Sequence, residues 1–210
     1  MMSADVLSAF SKEMQKQAFL GTLLTTPFRH VLAKGALSKG KDTARAKMLR
    51  KALSKGDPTE IKLLADESAQ GPHYISRDGK QQVHVRKEED PAVLAHELGH
   101  SELDRETVGS ILQSTGMRAA SGLGVGAGAL VGLGGKPAIG AAIAAASLLP
   151  VLTYEGMASS RGIDRLRKAG ATAEEISEAK TKLLKAWGTY ASLPVAVAGD
   201  VLTLQMLTRR

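Results

Sequence analysis

The spacing of apolar residues along the chain predicts a mainly helical protein. Over residues 6–20, 29–56 and 172–187, apolar positions recur at intervals of three and four with charged residues between them, which is typical of amphipathic helices. Thr172 and Glu175 form a capping box, which predicts the start of the last of these helices. Its apolar stripe consists of Ile176, Ala179, Leu183, Leu184 and Trp187.

One segment before the middle of the chain has the pattern of β-structure instead. Residues 73–77 and 81–86 are of β-type and are separated by Asp78-Gly79-Lys80, and Asp-Gly between two such runs predicts a hairpin. Residues 59–65, just before it, predict a short additional helix. The predicted fold class is therefore mainly α with a small β-hairpin. The edge of such a hairpin offers unpaired backbone groups to an extended peptide.

Two uncharged stretches follow and predict an apolar helical hairpin at residues 119–154. The first, residues 119–135, is rich in glycine at intervals of four, a spacing that lets helices approach closely in lipid. Lys136-Pro137 breaks the run, and residues 138–154 form the second stretch. We expect both stretches to span a membrane. The alternative is a soluble hairpin buried inside a protein assembly. A third apolar stretch, residues 188–208, predicts a further span or a core helix.

The strongest chemical signal is the heptapeptide Leu94–His100, which contains an HExxH motif. On a helix, His96 and His100 lie on one face, where their imidazoles can share one tetrahedral Zn²⁺. Glu97 then stands beside the first ligand and can take a proton from a water. Asp90-Pro91 supplies a cap and a suitable first residue for this helix. The alternative is an amphipathic helix that carries two histidines by chance.

A zinc site needs a third protein ligand, and the sequence points to Glu155. The chain contains no cysteine, so the third ligand must come from another residue type. Glu155 lies just beyond the apolar hairpin, which returns the chain to its starting side, and it shares one helical face with Ala158, Ser159 and Gly162. The alternative is a carboxylate at a helix start that interacts favourably with the helix dipole.

Charge distinguishes the front of the chain from the rest. The formal net charge is +7, and residues 1–56 hold eleven Lys and Arg against three acidic residues, a local balance of +8. Such a stretch suits anionic lipid or nucleic acid, and the alternative is a solvated basic face. It carries no nucleic-acid motif, so nucleic acid is not an expected partner.

Residues 71–210 resemble the YugP-like neutral zinc metallopeptidases of bacterial membranes. The order HExxH, two apolar spans and then Glu-x-x-Ala is also similar to that of the membrane heat-shock and prenyl-protein metallopeptidases, which have Asp where Ser159 stands. Residues 1–70 depart from the family pattern, which opens with a transmembrane helix. The matching segments are Ala95–His100, Glu155–Arg161, Leu166, Gly170, Glu175, Ala179, Leu183 and Thr189-Tyr190.

The resemblance implies that His96, His100 and Glu155 bind Zn²⁺ and that Glu97 is the general base. Ser159 is a candidate to hydrogen-bond a ligand imidazole, and Arg161 is a candidate for oxyanion stabilisation.

We therefore expect a zinc-dependent endopeptidase that acts on a peptide or protein substrate. Its metallopeptidase domain would comprise residues 71–210, preceded by a basic, partly amphipathic N-terminal region at residues 1–70. It would be membrane-associated, with the active site on the cytoplasmic side. The alternative is a structural or membrane-penetrating component of a large assembly, such as a phage particle, that retains an active or vestigial HExxH motif. In that case the protein would belong to the virion and assemble with other chains.

Overall fold

The computed structural model describes residues 43–64, 72–77 and 80–191. The helix predicted at residues 6–20, the start of the basic helical region and most of the apolar stretch 188–208 lie outside the described residues. The described part is mainly helical, with six helices and one small sheet. The elements are α1 (Ala44–Ser54), β1 (Glu60–Leu63), β2 (His73–Arg77), β3 (Lys80–Val85), α2 (Pro91–Asp104), α3 (Thr107–Gln113), α4 (Thr115–Leu133), α5 (Pro137–Lys168) and α6 (Ala173–Ala191).

Local capping contacts explain where two of the helices begin. The Asp90 carboxylate accepts a hydrogen bond from the backbone N–H of Ala92 at 2.8 Å, and Pro91 occupies the first turn of α2. Thr172 and Glu175 exchange reciprocal backbone–side-chain hydrogen bonds of 2.7 and 3.2 Å. The capping box predicted for α6 is therefore confirmed, and both contacts satisfy N–H groups that a helix start leaves open.

The small sheet has the strand order β1-β3-β2. The predicted hairpin is present as the antiparallel pair of β2 and β3, in which His73 lies opposite His84. The short helix predicted at residues 59–65 is wrong, because Glu60–Leu63 is a strand parallel to β3. Pairing with the free edge of β3 satisfies its backbone groups, and Ile61 packs against the hydrophobic core.

One hydrophobic core joins the sheet to four helices. It contains Leu53 of α1, and Ile61 of β1 packs against it, so part of the predicted N-terminal region shares the core with the predicted metallopeptidase domain. The HExxH helix α2 runs through the middle of this core, and its Ala95 and Leu98 are fully buried. The other buried members are Val83, Val85, Ala92, Leu94, Ile163, Leu166, Ile176, Ala179 and Leu183.

Helices α4 and α5 form the predicted apolar hairpin, which is held together by close backbone contact. A Cβ atom added at Gly140 would lie 2.6 Å from the backbone nitrogen of Gly132, so no larger side chain fits there. Helix α5 continues for 32 residues with Pro150 inside it. Glu155 therefore lies within a long helix, and the alternative that it is a helix-start carboxylate is wrong.

Two membrane spans were expected from residues 119–154, but the two helices differ in whether they are long and apolar enough to cross a membrane. Among the described residues, α5 is the one helix long and apolar enough to cross a membrane, and 17% of its most apolar window is buried. The apolar part of α4, Ala119–Leu133, is shorter than that limit. The hairpin thus consists of one helix of spanning length and one shorter apolar helix.

Glycines also set the crossing of α2 and α5, which positions the candidate site. A Cβ atom added at Gly99 would collide with the carbonyl oxygen of Ala158. A Cβ atom added at Gly162 would lie 2.9 Å from backbone atoms of Ala95 and His96. The two helices therefore touch backbone to backbone where the first histidine of the motif lies.

Ion pairs hold both ends of α2 beside this crossing. Lys182 of α6 donates to the capping carboxylate of Asp90 at 2.6 Å. Near the other end, Arg165 of α5 donates to Glu102 at 3.0 Å and also binds Asp57. These pairs are partly buried, so they restrain the position of α2 more strongly than exposed pairs would.

We predict that Gly162→Ala lowers the free energy of unfolding by about 1–3 kcal/mol, because the added methyl group separates α2 from α5. Gly156→Ala is the matched control, since it lies on the same helix and its added Cβ would meet Trp187 at an ordinary 3.7 Å. Denaturant unfolding of both variants measures the difference. Equal stability of the two variants would show that the crossing tolerates a side chain.

Candidate metal centre

The two histidines of the HExxH motif face each other on one side of α2. They lie four positions apart, which is about one helical turn. Their Nε2 atoms lie 3.1 Å apart, and their rings meet edge to face, with centroids 4.6 Å apart and an angle of 77°. Two ring nitrogens at this distance either share one proton or direct their lone pairs at a common cation.

Glu155 of α5 completes the group. Its Oε2 atom lies 3.3 Å from Nε2 of His96 and 3.5 Å from Nε2 of His100. The structure thus brings Glu155 to two histidines that lie far before it in the sequence, and all three side chains have atoms able to ligate a metal. Among the described residues, these three are the histidine and carboxylate side chains whose ligand atoms lie close enough to one another to hold a metal ion.

The spacing of these three atoms fits one tetrahedral ion. Ligands about 2.0–2.1 Å from a common zinc ion at tetrahedral angles lie about 3.3–3.4 Å from each other. The three separations in the structure are 3.1, 3.3 and 3.5 Å. An ion at the centre would leave its fourth position free. The side chains of His96 and Glu155 are each 15% exposed, so the group is accessible from solvent.

Ser159 supports the first histidine. Its Oγ atom lies 3.2 Å from Nδ1 of His96, one turn beyond Glu155 on the same helix. When Nδ1 carries the proton, it donates to this hydroxyl and leaves the Nε2 lone pair directed at Glu155 and His100. The structure therefore places Ser159 where the sequence predicted a partner for a ligand imidazole.

The charge around His96 is strongly negative. Burial alone would lower the pKa of this imidazole, but the hydrogen bond with Glu155 and the charges of Glu97 and Glu155 raise it above its usual value. The site therefore attracts positive charge, whether a proton or a metal cation. Glu97 itself is buried, with 7% of its surface exposed.

Arg161 contacts one carboxylate on α2 and one on the residue just before α3. Its guanidinium donates to Glu106 at 2.7 Å and lies 3.7 Å from Glu102. This contact ties α5 to the junction between α2 and α3. A role of Arg161 in oxyanion stabilisation stays a prediction.

Two tyrosines beside His100 were not predicted as part of the site. The ring of Tyr154 stacks on the imidazole of His100 with centroids 4.7 Å apart, and the ring of Tyr74 lies farther away at 6.2 Å. Tyr154 directly precedes Glu155 in the sequence, and this neighbourhood is a weak indication that Tyr154 lies at the site. Tyr74 on β2 has no such signal, because its place depends on how the sheet packs against α2.

The chain matches no protein-family model, no curated protein and no solved structure. The resemblance to the YugP-like metallopeptidases therefore rests on the motifs quoted above.

We predict that Glu155→Gln weakens metal binding by at least about 10-fold. The neutral amide is a poorer ligand, and even residues that merely orient a ligand contribute about 10–100-fold in affinity. Glu174→Gln, an exposed position in the first turn of α6, is the control and should bind metal like the wild type. Zinc content after dialysis and competition with a chelator measure both variants. Equal affinity of the two variants would exclude Glu155 as a ligand.

Proposed function

We propose that this chain is a zinc-dependent endopeptidase attached to a membrane. The observation that carries the proposal is the convergence of His96, His100 and Glu155, whose ligand atoms have the mutual spacing of three corners of a tetrahedron. Without a metal, a proton on His96 already makes its contact with Glu155 favourable. Around one cation, all three contacts become favourable.

The set of donor atoms favours zinc over the common alternatives. Two imidazole nitrogens and one carboxylate oxygen form a catalytic zinc set that keeps one position open. Magnesium and calcium prefer sites built from oxygen atoms, which this group does not offer. When bound, zinc would supply a Lewis acid that polarises the scissile carbonyl and makes a water more acidic.

Glu97 is the residue we assign to proton transfer. It follows His96 directly in α2, and its negative charge acts on that imidazole. As the general base, its carboxylate takes a proton from the attacking water and then delivers it to the amine nitrogen that leaves. Its burial strengthens these electrostatic interactions, because little water remains to screen them.

The sheet supports a peptide as the substrate. In the strand order β1-β3-β2, the outer side of β2 has no strand partner among the described residues. Tyr74 of this strand lies beside His100, so the free edge runs close to the candidate metal centre. An extended peptide can pair with such an edge through its backbone, and this would place a peptide bond near the site.

We predict that Glu97→Gln retains the metal but lowers peptide hydrolysis by about 100-fold or more, because the variant lacks the base and keeps all three ligands. Glu88→Gln, an exposed residue before the same helix, is the control and should keep wild-type activity. Cleavage of an unstructured protein such as casein, measured with the zinc content of each variant, tests this. Full activity of Glu97→Gln would contradict the assigned role.

The hairpin of α4 and α5 supports attachment to a membrane. Helix α5 is long and apolar enough to span a bilayer. Several large apolar side chains on the hairpin are exposed by 45–76%, which is costly in water and favourable in lipid. These side chains are Leu123, Leu130, Ile139 and Leu149. The same surface would also suit contact with neighbouring protein chains in a large assembly, and binding to vesicles distinguishes lipid from protein as its environment.

We predict that the double variant Leu123→Glu/Leu149→Glu loses most of its binding to phospholipid vesicles. A charged side chain in the bilayer core costs several kcal/mol. Leu184→Glu is the control, because Leu184 is 67% exposed but lies on α6, outside the hairpin. Flotation of purified protein with vesicles measures binding. Wild-type protein that stays soluble and does not float would favour the assembly alternative.

A further inference from the structure

The two histidine ligands of the candidate metal centre are held in different ways. A histidine that binds a metal usually donates its other ring N–H to a nearby acceptor, which fixes the plane of the ring. His96 has the Ser159 hydroxyl for this purpose. His100 does not, because its Nδ1 atom is buried without a hydrogen-bond partner among the described residues.

Tyr154 contacts the imidazole that lacks this hydrogen bond. The two rings are nearly parallel, at 26°, with centroids 4.7 Å apart, a spacing at which aromatic rings attract each other. Tyr154 is itself almost fully buried, with 3% of its surface exposed. Its ring therefore has little freedom to move away from His100.

A hydrogen bond fixes the tyrosine in turn. The hydroxyl of Tyr154 donates to Oδ1 of Asp104 at 2.8 Å. Asp104 lies four residues after His100 on α2, so one helix carries both the imidazole and the group that anchors the ring against it. Donation to a carboxylate also makes the ring richer in electrons, which strengthens its attraction to positive charge.

We propose that Tyr154 is a positioning residue that takes the place of the missing hydrogen bond and directs Nε2 of His100 at the metal. Metal ligation draws electron density from the imidazole, and the electron-rich face of Tyr154 stabilises the resulting partial positive charge. Tyr74, which is inclined by 14° at 6.2 Å, adds a second and weaker ring contact. This inference rests on the proposed function, because it assumes that His100 binds a metal.

The test compares two variants of Tyr154 with a matched control in the full-length protein. Tyr154→Leu removes the ring, and Tyr154→Phe keeps the ring but removes its anchor to Asp104. Trp187→Leu is the control, because it also removes a large ring with a hydrogen bond, here to the carbonyl of Leu152, between α5 and α6. Zinc affinity is measured by competition with a chelator. The visible absorption of the cobalt-substituted protein reports the geometry of the ligands.

We expect Tyr154→Leu to bind zinc about 10-fold more weakly than the wild type and to change the cobalt spectrum. Tyr154→Phe should lose less affinity and show a smaller spectral change. Trp187→Leu should lower thermal stability while leaving zinc affinity and the cobalt spectrum unchanged. This pattern would separate positioning of His100 from general packing.

Three other outcomes would overturn the inference. If Tyr154→Leu and Trp187→Leu affect zinc affinity equally, Tyr154 contributes packing alone. If Tyr154→Leu does not fold, Tyr154→Met decides, because methionine fills much of the same space without a ring. Wild-type affinity together with a wild-type cobalt spectrum in that variant would refute the positioning role. A wild-type protein that binds neither zinc nor cobalt would instead overturn the proposed function, and the inference with it.

Discussion

The close crossing of α2 and α5 is the constraint on which the candidate site depends. Gly99 and Gly162 let the two backbones touch, and the crossing lies beside His96. A larger separation would move the carboxylate of Glu155 away from the two imidazoles, and ligand atoms spaced for one ion tolerate shifts of only a few tenths of an ångström. The ion pair of Arg165 with Glu102 then keeps α2 from sliding along α5, and Lys182 of α6 holds Asp90 at the start of α2.

The local parts of the structure could be predicted from the sequence because local interactions determine them. The HExxH motif lies on a helix whose start is set by Asp90 and Pro91, and the capping box of Thr172 and Glu175 needs only four consecutive residues. The position of Glu155 near the histidines could be predicted from the hairpin that precedes it and from the small residues beside it. A hairpin returns the chain to its starting side, and small residues on the face of Glu155 allow a close approach.

Other features depend on contacts between distant segments. Residues 60–63 are too few to have a clear period, and they form a strand because β3 offers an edge and Ile61 finds the core. The ring contacts of His100 depend on how α5 and β2 are rotated against α2, which no spacing in the sequence records. Likewise, Arg161 follows the Glu-x-x-Ala segment closely, but its partners are Glu102 on α2 and Glu106 just before α3.

Helix α5 is continuous from the turn of the hairpin to Glu155, so its length fixes the distance between the turn and the carboxylate. Glu155 lies eighteen positions after Pro137, which is at the tip of the hairpin, so the rise along the helix is about 27 Å. The hydrocarbon core of a bilayer is about 30 Å thick. A hairpin inserted up to its turn would thus hold the carboxylate at the depth of the lipid headgroups. For the proposed peptidase, peptide bonds at that depth would be within reach of the site, and bonds far out in solution would first have to approach the membrane surface.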